Sequence, residues 1–262
     1  MDYPKNQDSR VFIKEGQEGL RDHYRKINDI KHDFRNANLY HILLNFLKGD
    51  NVFDVGCGPG HFLFLVQKQG YEAVGLEADP QLIALGEKLY AGFDFEIYNG
   101  NAENLKVDKQ FDNITLIDVL EHIKEDKLVV CRLKNNLCDT GRLILVIPSH
   151  PVLYGIRDRS IGHYRRYSKQ QIVDLLKSCG MKPIKIRHWN ALGFIPFFVS
   201  EKIFRSPLQA NLRDHRKRKG LNALFAKMIF LWFKFIENRF NFHFGLSLIV
   251  VAEIFNNHSR TY

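Results

Sequence analysis

The sequence predicts an α/β fold: a seven-stranded, mainly parallel sheet with helices on both faces, preceded by a helical segment and interrupted late by a helical insertion. Three observations carry this prediction. Seven short apolar runs rich in Val, Ile, Leu and Phe recur along the chain. Helical patterns of about ten to fifteen residues separate most of them. Several runs end in glycine or acidic residues, where sheets of this kind place their ligand crevice. At 262 residues, the chain is long enough to bury such a core as one domain.

The elements follow in order. Residues 1–14 read as irregular. Over 16–47 apolar residues return at helical steps, with Leu39, Ile42, Leu43 and Phe46 on one stripe. Residues 51–55 form the first strand and stop at a glycine cluster. A helix over 62–69 and a strand over 71–76 come next. The following helix, 80–90, opens at Pro80, whose fixed φ suits the first helical position. Strands are expected at 93–98, 113–117 and 142–147. Ser168 is placed to cap a helix over 169–178, and strands at 183–187 and 246–252 close the sheet. The organisation expected is a helical segment 1–48 on the acceptor side, a core 49–188, an apolar and basic insertion 189–243, and a last strand with its tail, 244–262.

Four cysteines, Cys57, Cys131, Cys138 and Cys179, show no spacing typical of a zinc site or a redox dithiol. The polar opening MDYPKNQDSR lacks a signal-peptide core, and no apolar run reaches the ~18 residues that span a bilayer. The expectation is a cytoplasmic protein without a metal. A net charge of +9 favours acidic partners such as phosphates, anionic lipid or a carboxylated substrate.

The first junction reads Asp54-Val55-Gly56-Cys57-Gly58-Pro59-Gly60-His61. Its glycines allow a tight turn and close approach of the backbone to a ligand, and the helix that follows offers free N–H groups to an anion. A dinucleotide fingerprint would put Gly or Ala at position 61. His61 stands there, which counts against NAD and FAD. Glu77 ends the second strand, where an acidic residue holds ribose hydroxyls, and Asp79 is placed to cap the helix at Pro80.

Val52-Phe53-Asp54-Val55-Gly56-Cys57-Gly58-Pro59-Gly60 resembles the first motif of class I methyltransferases that use S-adenosyl-L-methionine. Gly75-Leu76-Glu77, Gly100-Asn101-Ala102-Glu103 and Ile117-Asp118-Val119-Leu120-Glu121-His122-Ile123 are similar to later motifs of that family, in order. The resemblance implies a Rossmann-like fold, methyl transfer and S-adenosyl-L-methionine as cofactor. It places Asp54, Gly56, Cys57 and Gly58 against the methionine moiety and Glu77, with Ala78, at the ribose. Asn101 and Ala102 would flank the adenine, and Asp118 and Val119 would lie near the methyl group. Asn101 replaces the commoner Asp, and its amide can still donate or accept. His122 reads as a packed histidine at a helix start, or else as a group facing the reaction centre.

The stretch Pro148-Ser149-His150-Pro151-Val152-Leu153, then Asp158 and His163-Tyr164-Arg165-Arg166-Tyr167, resembles a bacterial small-molecule subgroup of these enzymes. Upstream, His32-Asp33-Phe34-Arg35 is similar to the subgroup's N-terminal helix without its tryptophans. A hydroxyl acceptor benefits from a base, and histidine is the side chain tuned near neutral pH. His163, failing which His150, is the expected base; Tyr154, Arg157, Tyr164 and Arg165 are expected to bind the acceptor. Arg165 and Arg166 have an alternative role, anchoring the loop to Asp158 or to carbonyls.

The insertion joins Phe194, Phe197, Phe198, Ile203 and Phe204 to a basic run at 213–219 and an apolar helix face from Leu221 to Ile236. It reads as a helical pair covering the site, a homodimer seam, or a peripheral membrane contact through 191–240. Its charge is clustered rather than interleaved with aromatics, so nucleic acid is not an expected partner. The function expected is methylation, preferably on oxygen, of a small-molecule, sugar or lipid-linked acceptor. Non-methylating chemistry on the same cofactor, or a catalytically silent subunit that binds membrane or a partner, are the alternatives.

Overall fold

The computed structural model describes Glu18, Arg21, Tyr24 and residues 33–105, 107–204 and 228–255. The irregular start, most of 16–32, the basic run at 213–219 and the apolar face over 221–227 lie outside the described residues.

Seven strands form one sheet: β1 (Asn51–Val55), β2 (Glu72–Glu77), β3 (Glu96–Asn99), β4 (Phe111–Ile117), β5 (Leu137–Pro148), β6 (Met181–Trp189) and β7 (Ser247–Ile254). Their order is β3-β2-β1-β4-β5-β7-β6. Pairing is parallel from β3 to β5, and β7 lies antiparallel between β5 and β6. The fold class is the one the sequence predicts. The helices are α1 (Phe34–Leu44), α2 (His61–Lys68), α3 (Pro80–Leu89), α4 (Asp126–Lys134), α5 (Ile156–Ser160), α6 (Lys169–Ser178) and α7 (Phe194–Phe198).

Alternation along the strands sends one set of side chains to each face. Phe53, Val55, Leu116, Leu143 and Leu145 pack with Val129 and Leu133 of α4 and with Ile172 and Leu176 of α6. Val52, Ile144, Val146 and Val251 pack with Leu39 and Leu43 of α1 and with Phe62 and Leu63 of α2. Each such side chain contributes roughly 1.5–3 kcal/mol by leaving water. Local chemistry sets the helix starts. Asp79 caps α3 by accepting the Gln81 N–H, and Ser168 and Gln171 form a reciprocal cap on α6.

Tertiary packing moves some boundaries. β3 starts at Glu96 rather than at 93, because Phe93 turns its ring edge-on against Phe64 at 4.5 Å. β5 begins at Leu137 rather than at 142, because Leu137 pairs with Phe111 across a register shift. β6 includes Pro183, which the edge position and a local register shift accommodate. The fold pairs two cysteines whose spacing announces nothing. Cys131 of α4 and Cys179, just after α6, form a disulfide across 48 residues of sequence, a separation that carries no motif.

The second half of the insertion docks on β6. Phe233 is buried 5.0 Å from the ring of Trp189. Arg187 donates to the carbonyls of Glu237, Asn238 and Phe240, and the Glu237 carboxylate accepts from the Ala191 N–H and the Trp232 indole. Among the described residues no helix is long and apolar enough to cross a membrane.

Candidate active site

The sheet order reverses between β1 and β4, which opens a crevice beyond their carboxyl ends. The turn after β1 lies tight against β2: the N–H groups of Gly56 and Cys57 both donate to the Leu76 carbonyl, at 2.7 and 3.1 Å. Gly56 has φ +75°, and a Cβ there would stand 2.5 Å from Cγ2 of Val119. Only glycine lets this turn close on the exit of β4. At the tip of β2 the Glu77 carboxylate accepts the Gly58 N–H at 2.8 Å and the Asp79 N–H at 2.9 Å. Burial pushes its pKa up, and those two backbone donors oppose the rise.

Asp54 points beneath the turn and accepts from Thr115 Oγ1 at 2.6 Å. Burial pushes its carboxyl up to about 7. Cys57 is buried in the turn, and Ala78 is exposed beside Glu77. Asn101 spends its side-chain oxygen capping the turn over Ala102 to Asn104, accepting the Glu103 N–H, so its amide NH₂ is what remains to face a ligand. Asp118 has φ +54°, an uncommon conformation for a non-glycine residue. Its backbone N–H donates to Val146, and its carboxylate receives Arg35 Nη1 at 2.9 Å.

The sequence-predicted cofactor residues therefore gather along the ends of β1, β2 and β4 and the turn after β3. The arrangement fits S-adenosylmethionine. The start of α2 has backbone N–H groups that would suit a carboxylate, Glu77 has acceptor lone pairs that would suit ribose hydroxyls, and the Cβ-free turn would leave room for the chain between them. Residues of the N-terminal segment lie over the same crevice: Arg21 pairs with Asp79 at 2.5 Å, and the Tyr24 ring sits 5.5 Å from His61, against Gly58.

The loop after β5 carries the residues expected on the acceptor side. His163 Nδ1 bonds Asp158 Oδ1 at 2.9 Å, and its Nε2 stands 3.7 Å from Glu121 Oε1. Asp158 is fully buried and also accepts from Arg166 Nε at 2.8 Å. Burial alone would push its carboxyl up, but the bonds from His163 and Arg166 draw it below the usual range. Glu121 is buried, its pKa raised well above normal by desolvation and by Asp118, and its Oε2 has no hydrogen-bond partner among the described residues. His122 is exposed, not packed, and lies edge-on to His163 at 4.5 Å.

Other predicted residues are held differently. Tyr154 donates its hydroxyl to the His163 carbonyl, and half-buried Arg157 lies within the electrostatic reach of Arg35 and Arg166. Arg165 is spent on Asp126 at 2.7 Å and on the Lys124 carbonyl, so it anchors the loop to α4. Tyr164 is exposed. His150, at φ +59°, stacks on His188 at 4.9 Å, and burial followed by Arg166 and Lys169 lowers its pKa. Sequence reasoning gave no role to Arg35 or Glu121; their signals, a charge on an apolar helix face and an acid within the fourth motif, become legible only once the sheet brings them together.

A family model described as a methyltransferase domain matches residues 23–186. Curated relatives include the mitochondrial ubiquinone biosynthesis O-methyltransferase of Schizosaccharomyces pombe, 27% identical over 115 residues that make up 42% of each chain. The ubiquinone biosynthesis O-methyltransferase of Pseudomonas entomophila is 32% identical over 88 residues, 32% of this chain and 38% of the relative. These matches span less than half of either relative. Among solved structures, a chain from the complex of the Haloferax volcanii Trm112 methyltransferase activator with a methyltransferase superposes with a TM-score of 0.64 at 12% identity, covering 94% of this chain and 99% of that one. A SAM-dependent methyltransferase from Archaeoglobus fulgidus gives 0.57 at 15% identity, covering 88% and 98%. With its glycine turn, the Glu77 carboxylate at the tip of β2 and ordered motifs on a seven-stranded sheet, this chain belongs to the methyltransferase-domain family of class I enzymes that use S-adenosylmethionine.

Proposed function

We propose that this protein methylates a hydroxyl oxygen on a small-molecule or lipid-linked acceptor. One observation carries the reading: a histidine locked by a buried carboxylate, His163 on Asp158, opens its second ring nitrogen toward Glu121, close to Asp118 at the methyl end of the crevice. The relatives named for O-methylation in ubiquinone biosynthesis support the choice of oxygen. When bound, S-adenosylmethionine supplies an activated methyl group. The residues of this chain do the rest. The glycine turn and Glu77 would hold the cofactor, and Arg35 fixes Asp118 at the exit of β4. Asp158 holds the imidazole so that Nε2 can take the hydroxyl proton as the O–C bond forms and the S–C bond breaks. Alignment of this kind is worth roughly 7–11 kcal/mol, and the base adds about 10²–10⁴-fold.

The test offers methyl-labelled S-adenosylmethionine with a panel of small phenols and with a lipid extract. Wild-type protein should label a hydroxyl-bearing fraction, and His163→Ala should lose at least about 10²-fold in turnover while S-adenosylmethionine affinity is retained. Undiminished turnover would remove His163 from the mechanism.

A second reading concerns where the acceptor is met. Ile195, Ile203 and Phe204 are 62–72% exposed, and Met228 and Phe240 about as much. They flank the basic run at 213–219, which supports peripheral contact with an anionic membrane through 191–240. Flotation with anionic liposomes should carry the protein upward in low salt. Equal flotation with neutral liposomes would exclude the electrostatic part.

A further inference from the structure

We propose that Glu121, His122 and His163 form a binding site for one divalent cation of the zinc class, on the acceptor side of the crevice. One ligating atom from each, two ring nitrogens and a carboxylate oxygen, lie within 4.8 Å of one another. Small side-chain movements would close that spacing around an ion with bonds of about 2.0–2.2 Å. The donors come from two separate parts of the chain. Glu121 and His122 sit on the single turn that follows β4, and His163 arrives on the loop after β5.

Two features mark this as a built site. The first is orientation. Asp158 occupies Nδ1 of His163 and leaves Nε2 toward Glu121, the carboxylate–imidazole arrangement that fixes the ring of a metal-bound histidine. Asp158 is itself immobilised by Arg166 and by the Gly155 N–H at 3.0 Å. The second is an unmet need. Glu121 is 1% exposed, and its Oε2 has no hydrogen-bond partner among the described residues. Buried polar atoms are almost always satisfied, and a cation held by both carboxylate oxygens, Oε1 facing His163 and Oε2 beside it, would satisfy this one.

Two imidazoles and one carboxylate are the donors preferred by borderline divalent ions, and they leave coordination positions for an exchangeable ligand. An acceptor hydroxyl entering such a position binds through oxygen and releases its proton to solvent more readily. The cation site rests on the methyltransferase reading and deepens it at the same side chains: with a cation bound, Nε2 of His163 is a ligand and no longer the base.

The full chain, stripped with chelator and desalted, is titrated with Co²⁺. The expected result is saturation at one equivalent, with visible ligand-field absorption that is lost in Glu121→Gln, His122→Ala and His163→Ala. Asp158→Asn, which keeps every donor but releases the ring, should weaken Co²⁺ binding about 10–100-fold. Retained S-adenosylhomocysteine binding in each variant reports an intact fold. No saturable absorption in wild-type protein, or the same absorption in His163→Ala, would overturn the site. A stripped chain that transfers methyl at full rate, while His163→Ala does not, would overturn the cation and leave the base reading standing. Wild-type protein that does not bind S-adenosylhomocysteine would bring down the methyltransferase reading instead.

Discussion

Replacing Asp54 with asparagine isolates the energetic consequence of a carboxyl group buried under the cofactor turn. Burial holds the folded-state pKa of Asp54 at about 7, against an ordinary 3.8. The folded chain therefore keeps a proton that the unfolded chain has already released. Between those two values stability must fall as pH rises, because the unfolded state binds fewer protons there. Above about pH 7 the folded group has ionised as well, and its contribution levels off. The slope can reach about 1.4 kcal/mol per pH unit. The Asp54→Asn side chain mimics the protonated acid, since its amide oxygen can still accept from Thr115 Oγ1. Urea unfolding of the ligand-free wild type and of Asp54→Asn, followed from about pH 5 to about pH 8, should show the variant gaining roughly 2–3 kcal/mol relative to wild type as pH rises through the first two units of that range. Parallel stability curves would refute the reasoning, because they would mean that Asp54 is ionised throughout and that its site is not dry.

Two further predictions probe the same crevice from its edges. Gly86 of α3 has room for no side chain: a Cβ would stand 2.5 Å from the Pro59 carbonyl oxygen. Gly86→Ala gains up to about 1 kcal/mol of helix propensity but should lose about 1–3 kcal/mol to overpacking, so Tm and S-adenosylmethionine affinity should both fall. A raised Tm would contradict the contact. Arg35→Ala leaves the strained Asp118 without its 2.9 Å partner. It should cost about 1–3 kcal/mol in urea unfolding and weaken cofactor binding several-fold, and Arg35→Lys, which lacks the planar fork, should rescue it only in part. Full affinity in Arg35→Ala would free Asp118 from the role given to it.

What the sequence determined by itself was local or periodic. Strands buried on both faces read as continuous apolar runs, so Val52, Phe53 and Val55, or Leu143 to Ile147, announce themselves without a partner. The cofactor cradle is legible for a similar reason. Gly56, Gly58 and Glu77 meet within one β-α-β span, where spacing along the chain is nearly spacing in the fold. The caps at Asp79 and Ser168 satisfy N–H groups two or three residues away, and the sequence shows them directly.

What only the tertiary structure decided depends on residues far apart in the chain. Arg165 and Arg166 are neighbours with the same side chain. Yet α4 offers Asp126 to one and the buried Asp158 takes the other, so only packing separates loop anchor from site support. The Cys131–Cys179 disulfide exists because α4 and α6 share one face of the sheet. Glu121 meets His163 only because the order β4-β5 sets the ends of those strands side by side. Electrostatics and metal chemistry act over a few ångströms of space, and no periodicity in the chain encodes that distance.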